Sequence, residues 1–377
     1  MKITTYLAIV FSAVLFLTSC GNQQANLKNV EASLPAVNEA DVLYNFLKLS
    51  GNYINSDAMP TMITADEVFE NLGNKAFHVI DMRTPDLYEA GHINGAINVQ
   101  QEGIYEYFKN TIDASKYEKV VLVCKSGQSA SYVGSVMQLL GYQNVYAMKR
   151  GMSGWNKQFA DEVWIKNSGS AFADKLETTP NEKGKKYDYP AIKTGKRAGI
   201  DILDALAADV LKKTANDWGL KAEEVFANPS SYYIINYWVE EQYNAGHIPT
   251  AIQYTPKKSL SRSTSLATIP TDKKVVVYCY TGQQAAYVVA YLRILGYDAY
   301  SVLYGANGFM NSKMNEGGAI GHAFTSAEVK NYPLVLGDKP SDVVETAVET
   351  TATTTAAKTE APTKPKKKAS GGGGGGC

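Results

Sequence analysis

Short β-branched runs alternate along the chain with segments whose apolar residues recur every three or four positions. Residues 78–81, 120–123, 233–235 and 275–278 are short runs built on β-branched residues without polar alternation, the pattern of strands buried on both faces. After Cys124, the residues Val133, Val136, Met137 and Leu140 fall at helical spacing. Val288, Tyr291, Leu292 and Leu295 repeat this after Cys279, so each set predicts an amphipathic helix. Strand, loop and helix in succession form a βα unit. Its repetition predicts an α/β fold of two domains, each with a mostly parallel central sheet flanked by helices. In such sheets ligands gather beyond the carboxyl ends of the strands, which is where both cysteine loops fall.

The chain is internally duplicated. Residues 64–71 (TADEVFEN) recur as 221–228 (KAEEVFAN), and residues 88–97 (YEAGHINGAI) as 243–252 (YNAGHIPTAI). At that last spacing Cys124 falls on Cys279 and Gly127 on Gly282. Two equivalent functional loops account for this better than chance placement of two cysteines. Residues 164–199 are rich in Lys, Gly, Ser and Thr, as in a surface connection, and place the second domain's start near Gly199. The resulting division is a leader over 1–19, a polar stalk over 20–58 with a short helix near 41–49, a first domain over 59–160, a linker over 161–199, a second domain over 200–316 and a flexible tail over 317–377.

Composition narrows the functional classes. With 37 basic and 37 acidic residues, and 45% hydrophobic content, the chain has no electrostatic bias toward nucleic acid and the make-up of a folded globular protein. Its four cysteines, Cys20, Cys124, Cys279 and Cys377, are too far apart to draw a disulfide framework or a C-x-x-C zinc site, and no cofactor or metal is called for. Lys2 precedes an apolar run over 6–17 that is too short for an ordinary membrane span and reads as an export signal. The run ends in Leu-Thr-Ser before Cys20, which resembles the lipobox of bacterial lipoproteins. That resemblance implies lipidation at Cys20 and a body anchored to a membrane of the cell envelope, outside the cytoplasm. At the other end, Cys377 follows six glycines and a Lys-rich segment. A tail of about 35 residues would reach roughly 30–35 Å, enough for Cys377 to accept a group from a cysteine loop on its own body.

A cysteine that ends a buried strand, followed by a glycine-containing turn into a helix, has its sulfur aimed at backbone N–H groups and the helix N-terminus. This geometry favours a thiolate and would cradle an anion or a charged sulfur adduct. The loops are Cys-Lys-Ser-Gly-Gln-Ser over 124–129 and Cys-Tyr-Thr-Gly-Gln-Gln over 279–284. Neither has the arginine on which a cysteine phosphatase loop depends, at residues 125–131 or 280–286.

Together with Asp81-x-Arg83, the Gly91-His92-Ile93 turn and residues 151–155 (GMSGW), the first loop resembles the rhodanese family. The second copy is similar but eroded, with Asn236 for Asp81, Trp238 for Arg83 and Phe309 for Trp155. The resemblance implies transfer of sulfane sulfur from a donor such as thiosulfate to a thiol acceptor through a cysteine persulfide, with Cys124 and Cys279 as nucleophiles. It implies that Lys125, Ser126, Gly127, Gln128 and Ser129, and in the second loop Tyr280, Thr281, Gly282, Gln283 and Gln284, hold substrate. Asp81 and Arg83 are expected to be structural, with Asp86 and Glu89 as candidate acidic partners for Arg83. His92 and His247 are expected to stabilise their turns rather than act as bases. The second loop lacks the Lys125 cation, so Cys124 is expected to be the better nucleophile for small anionic donors. A non-catalytic sulfur-relay or binding lipoprotein is the alternative.

Overall fold

The computed structural model describes residues 37–316 and 318–338. The leader, Cys20 and Cys377 lie outside the described residues. The first half contains helix α1 (Glu39–Leu49), strand β1 (Met62–Ile63), α2 (Ala65–Glu70), β2 (Phe77–Asp81), α3 (Pro85–Glu89), β3 (Ile97–Asn98), α4 (Ile104–Asn110), β4 (Lys119–Val123), α5 (Gln128–Leu139) and β5 (Val145–Met148). The second half runs α6 (Gly199–Leu211), β6 (Gly219–Leu220), α7 (Ala222–Ala227), β7 (Tyr232–Asn236), α8 (Glu240–Asn244), β8 (Ile252–Gln253), β9 (Lys274–Tyr278), α9 (Gln283–Ile294), β10 (Ala299–Val302) and α10 (Asn307–Asn315).

Each half builds one five-stranded, all-parallel sheet, in the orders β1-β5-β4-β2-β3 and β6-β10-β9-β7-β8. The β-branched runs occupy the centre because a parallel strand there is covered on both faces. Val120 to Val123 and Val275 to Tyr278 are all fully buried. In register, Val121 lies beside Val79 and Val276 beside Ile234.

The two helices that follow the cysteine loops, α5 and α9, pack on each other across the halves. Both were expected to be amphipathic, yet both are buried on nearly every face. Polar positions of α5 are satisfied by protein groups, Gln138 and Ser131 within their own half and Ser135 across the contact. The Ser135 hydroxyl donates to the Tyr287 carbonyl at 2.9 Å, and the Tyr287 hydroxyl donates to the Thr61 carbonyl at 2.5 Å. Gly134 faces the Tyr287 ring, where a side chain would crowd the phenol oxygen.

The connecting segments are exchanged between the halves. The segment following the first sheet pairs Glu177 with His247 of the second half and sets Leu176 over Gly246. The segment following the second sheet returns to pair Val335 with His92 and sets Leu334 over Gly91. The flexible tail expected from residue 317 therefore does not begin there. Ile320 and Phe324 are buried, Tyr332 stacks on Phe69 with ring centroids 4.0 Å apart, and the Trp155 indole donates to the Pro333 carbonyl at 2.9 Å. An apolar island of Tyr, Pro, Leu and Val inside a polar segment docks where the first sheet leaves Phe69 and Trp155 uncovered. The expected stalk is likewise structured from residue 39. Helix α1 is capped by the Asn38 side chain and buries Leu43, Tyr44 and Leu47 against α6, while its Glu39 accepts from the Thr194 and Gly195 amides.

Aromatic phenols fill much of this core. Burial pushes Tyr53, Tyr189 and Tyr304 up to about 12, and drives Tyr132, Tyr237, Tyr278 and Tyr287 higher still. A raised folded value means that the unfolded chain loses these protons first. Their contribution to stability is thus complete below the ordinary tyrosine value of 10 and is lost as pH climbs through the folded values. Urea midpoints should fall steeply between about pH 10 and 12. A midpoint that stays flat across that window would contradict the buried-phenol account.

Candidate active site

Strand β4 is central in its sheet, and its last residue hands the chain to Cys124 at the carboxyl end. The Cys124 carbonyl accepts from Met152 N–H at 2.8 Å, and the Ser153 hydroxyl holds the Lys125 carbonyl at 2.9 Å. Trp164 was expected in a surface connection. It is instead fully buried behind the loop, its indole N–H donating to the Ser126 carbonyl at 3.0 Å. The turn then enters α5. The amide N–H of Gly127 lies 3.1 Å from the Cys124 Sγ and that of Ala130 lies 3.3 Å away, with the Ser126 and Ser129 amides also facing the sulfur.

Two opposed effects act on this thiol. Burial disfavours the charged form and pushes Cys124 up from its ordinary value, while the four amides pull it down, in the direction the loop pattern predicts. The amide cradle is also matched to an anion that enters with its charge already formed, or to a terminal persulfide sulfur, which is more acidic than a thiol.

Cys124 lines a cavity of about 570 Å³ together with Arg83, Lys125, Ser129 and, from the second half, Asn216 and Tyr304. Arg83 is 3% exposed and forms a bidentate pair with Asp81 (2.9 and 2.6 Å), so its partner is Asp81 rather than Asp86 or Glu89. Geometry decides this, since Asp81 ends β2 two residues upstream. Arg83 also donates to the Gly91 carbonyl at 2.7 Å, which leaves Nη1 without a hydrogen-bond partner among the described residues. Lys125 is exposed at the same cavity. His92 is buried, its Nδ1 2.9 Å from the Tyr88 carbonyl and its ring stacked on Tyr88 at 3.7 Å. His247 repeats both contacts with Tyr243.

The two loops are tied to each other. The Gln283 carboxamide oxygen accepts from Arg150 N–H at 2.9 Å, and its amide reaches the Gly127 carbonyl at 3.3 Å. Reciprocally, the Gln128 oxygen accepts from Tyr304 N–H at 2.9 Å. Gln128 and Gln283, expected to hold substrate, are 3% and 2% exposed and are committed to this exchange. It also explains the glycines. At Gly127 (φ +85°) a Cβ would lie 2.4 Å from the Gln283 amide nitrogen, and at Gly282 (φ +74°) 2.4 Å from the Gln128 oxygen.

The second loop repeats the backbone of the first in different surroundings. Ala285 N–H lies 3.3 Å from the Cys279 Sγ, and burial again pushes the thiol up. Cys279 is 1% exposed. In place of Arg83, Trp238 stacks on Tyr280 at 4.9 Å, and Tyr280 in turn meets His322 at 4.4 Å. In place of the Asp81–Arg83 pair, Asn236 donates to the Tyr278 hydroxyl at 2.8 Å. Both members of the ion pair have thus been replaced by neutral groups. Thr281 and Gln284 are half-buried along this turn. Among the described residues no group of three or more His, Cys, Asp or Glu side chains is placed to hold a metal ion.

Comparison with known proteins agrees with this duplicated architecture. The family model described as a rhodanese-like domain matches residues 64–158 and again residues 229–312. The chain carries two rhodanese-like domains. It is 25% identical over 101 residues to the thiosulfate sulfurtransferase GlpE of Pseudoalteromonas translucida, spanning 27% of this chain and 93% of that protein. It is 29% identical over 86 residues to the protein of the same name from Pseudomonas entomophila, spanning 22% and 75%. Among solved structures, a rhodanese-related protein from Thermoplasma volcanium shares 27% identity over 27% of this chain and 92% of its own, with a TM-score of 0.22.

The first rhodanese-like domain does not complete its cavity alone. Thr214, Asn216, Leu303 and Tyr304 come from the second domain, and Glu162 and Val163 from the connection. Sequence reading missed them because they are distant in the chain and carry no motif. The duplication held one hint, since Tyr304 and Arg150 each precede the glycine of an equivalent turn and share a left-handed φ near +61°. Replacing Gln283 by Ala strands the partly buried Arg150 N–H in the other domain. The substitution should cost about 1–3 kcal/mol in urea unfolding. An unchanged midpoint would show that the exchange does not hold the loops together.

Proposed function

We propose that this chain is a sulfurtransferase in which Cys124 takes sulfane sulfur from a small anionic donor such as thiosulfate and passes it, as a persulfide, to a thiol or another nucleophile. The observation that carries this reading is the Cys124 sulfur, faced by four amide N–H groups and lining a cavity that also presents Lys125 and Arg83. In the first step the Cys124 thiolate attacks the outer sulfur of thiosulfate. A Cys124 S–S bond forms, the donor's S–S bond breaks, and sulfite departs with the electron pair. Lys125 and the amides are the groups suited to the donor's negative oxygens, with the buried Arg83 guanidinium adding positive charge behind them. In the second step an acceptor thiolate attacks the outer sulfur and Cys124 leaves as a thiolate, which is two-step covalent catalysis. The relatives named thiosulfate sulfurtransferase support the same class of chemistry.

Cys279 is the weaker carrier in this reading, since neutral aromatic groups stand where the first loop has its cations. Cys377 outside the described residues is proposed as a further sulfur acceptor. Lipidation at Cys20, and with it a membrane-anchored place in the cell envelope, is likewise proposed from the leader pattern. Among the described residues no helix is long and apolar enough to cross a membrane.

Sulfite release from thiosulfate, with cyanide or a thiol as acceptor, discriminates an enzyme from a binding module. Cys124→Ser should lower it by roughly a hundredfold or more, whereas Cys279→Ser should keep most of it. Full activity in Cys124→Ser would overturn the assignment of the first domain as the active one.

A further inference from the structure

The Cys124 cavity is larger than its proposed donor requires, and Tyr304 is a wall that it shares with a second cavity. Leu303 and Tyr304 line both this cavity and a second one of about 620 Å³. Either volume is in the range that takes a drug-sized molecule, whereas thiosulfate has only five heavy atoms. The lining of the second cavity also includes Lys166, Asn167, Ser168, Lys221 and Glu223. Lys166 reaches Glu162 at 3.4 Å in an exposed pair, a contact weak enough to be exchanged for a ligand. Tyr304 stands between the two spaces with its backbone fixed by Gln128 and its ring held edge-on by Trp164 at 5.3 Å, 87° between planes. An aromatic wall thus stands between the cavity that holds Cys124 and one whose lining includes two lysines and a glutamate.

We propose that the cavity beyond Tyr304 is the docking subsite for the sulfur acceptor, and that this acceptor is a peptide-like thiol with a zwitterionic amino-acid end. Lys166 and Lys221 receive its carboxylate and Glu223 its ammonium. The body of the molecule lies along Tyr304, and its thiol enters the Cys124 cavity. The proposal rests on the persulfide reading for its chemistry. There the acceptor thiolate forms a bond to the outer sulfur, the Cys124 S–S bond breaks, and the Cys124 thiolate leaves, with no external oxidant or reductant. It gives the second domain a role that does not depend on Cys279.

The test uses the full chain and the double substitution Lys166→Glu, Lys221→Glu. Glutathione and uncharged 2-mercaptoethanol serve as alternative acceptors with thiosulfate as donor, and binding of unreactive S-methylglutathione is measured by calorimetry. The double variant should raise the KM for glutathione about tenfold relative to that for 2-mercaptoethanol, and weaken S-methylglutathione binding by a similar factor. Equal KM shifts for the two acceptors, or S-methylglutathione binding that is absent or unaltered by the substitutions, would overturn the subsite. Failure of the persulfide reading would appear separately, as loss of sulfite release in the unaltered chain, and the calorimetry would still decide the subsite.

Discussion

The packing of α5 against α9 is the constraint on which the rest of the molecule depends. These helices begin at the two cysteine loops, so burying one on the other fixes the loops in mutual register and brings the carboxyl ends of both sheets to a common seam. Amphipathic helices could not do this, because each must cover its own sheet on one side and its counterpart on the other. The chain meets the requirement with small and apolar residues, and with a few hydroxyls that bond across the seam. Reciprocal glutamines then pass from each helix start into the opposite loop, where only glycine leaves them room. The exchanged connections, one laid over Gly246 and one over Gly91, close the arrangement from outside.

Within that near-symmetry the two sites have diverged in charge. The first keeps a buried Asp81–Arg83 pair with a spare guanidinium nitrogen and an exposed lysine beside its sulfur. The second has replaced this with Asn236, which donates to the Tyr278 hydroxyl, and with Trp238 stacked on Tyr280. Burial disfavours a thiolate in both and equivalent backbone amides favour it in both, so the cations are what distinguish them as places for an anion to arrive. The second domain also supplies Tyr304 and Asn216 to the first domain's cavity. Duplication followed by divergence leaves the first domain's cavity completed by residues of the second.

Much of this was legible in the sequence because local patterns carried it. Buried parallel strands are apolar without alternation, the duplicated turns recur at a constant spacing, and a cysteine between a strand and a glycine turn has few other uses. What was not legible depends on contacts between distant segments. The burial of Ser131, Ser135 and Gln138 on α5 cannot be read from a helical repeat that shows polar residues on one face. Trp164, in a polar connection, gave no sign that it backs the Cys124 loop. Residues 318–338 looked like the start of a tail because their composition is mixed, yet Tyr332 and Leu334 find apolar partners at Phe69 and over Gly91. Gln128 and Gln283 looked like substrate ligands by position. Only the pairing of the two loops showed that their carboxamides are occupied.

The central claim is that sulfur is carried on Cys124, and mapping persulfides directly tests it. The full-length protein would be treated with thiosulfate, trapped by alkylation and digested, and the cysteine peptides weighed. The account predicts the added mass of one sulfur atom on the Cys124 peptide, at higher occupancy than on the Cys279 peptide and removed by an added thiol. Sulfur found on Cys279 alone, or on neither loop, would contradict it.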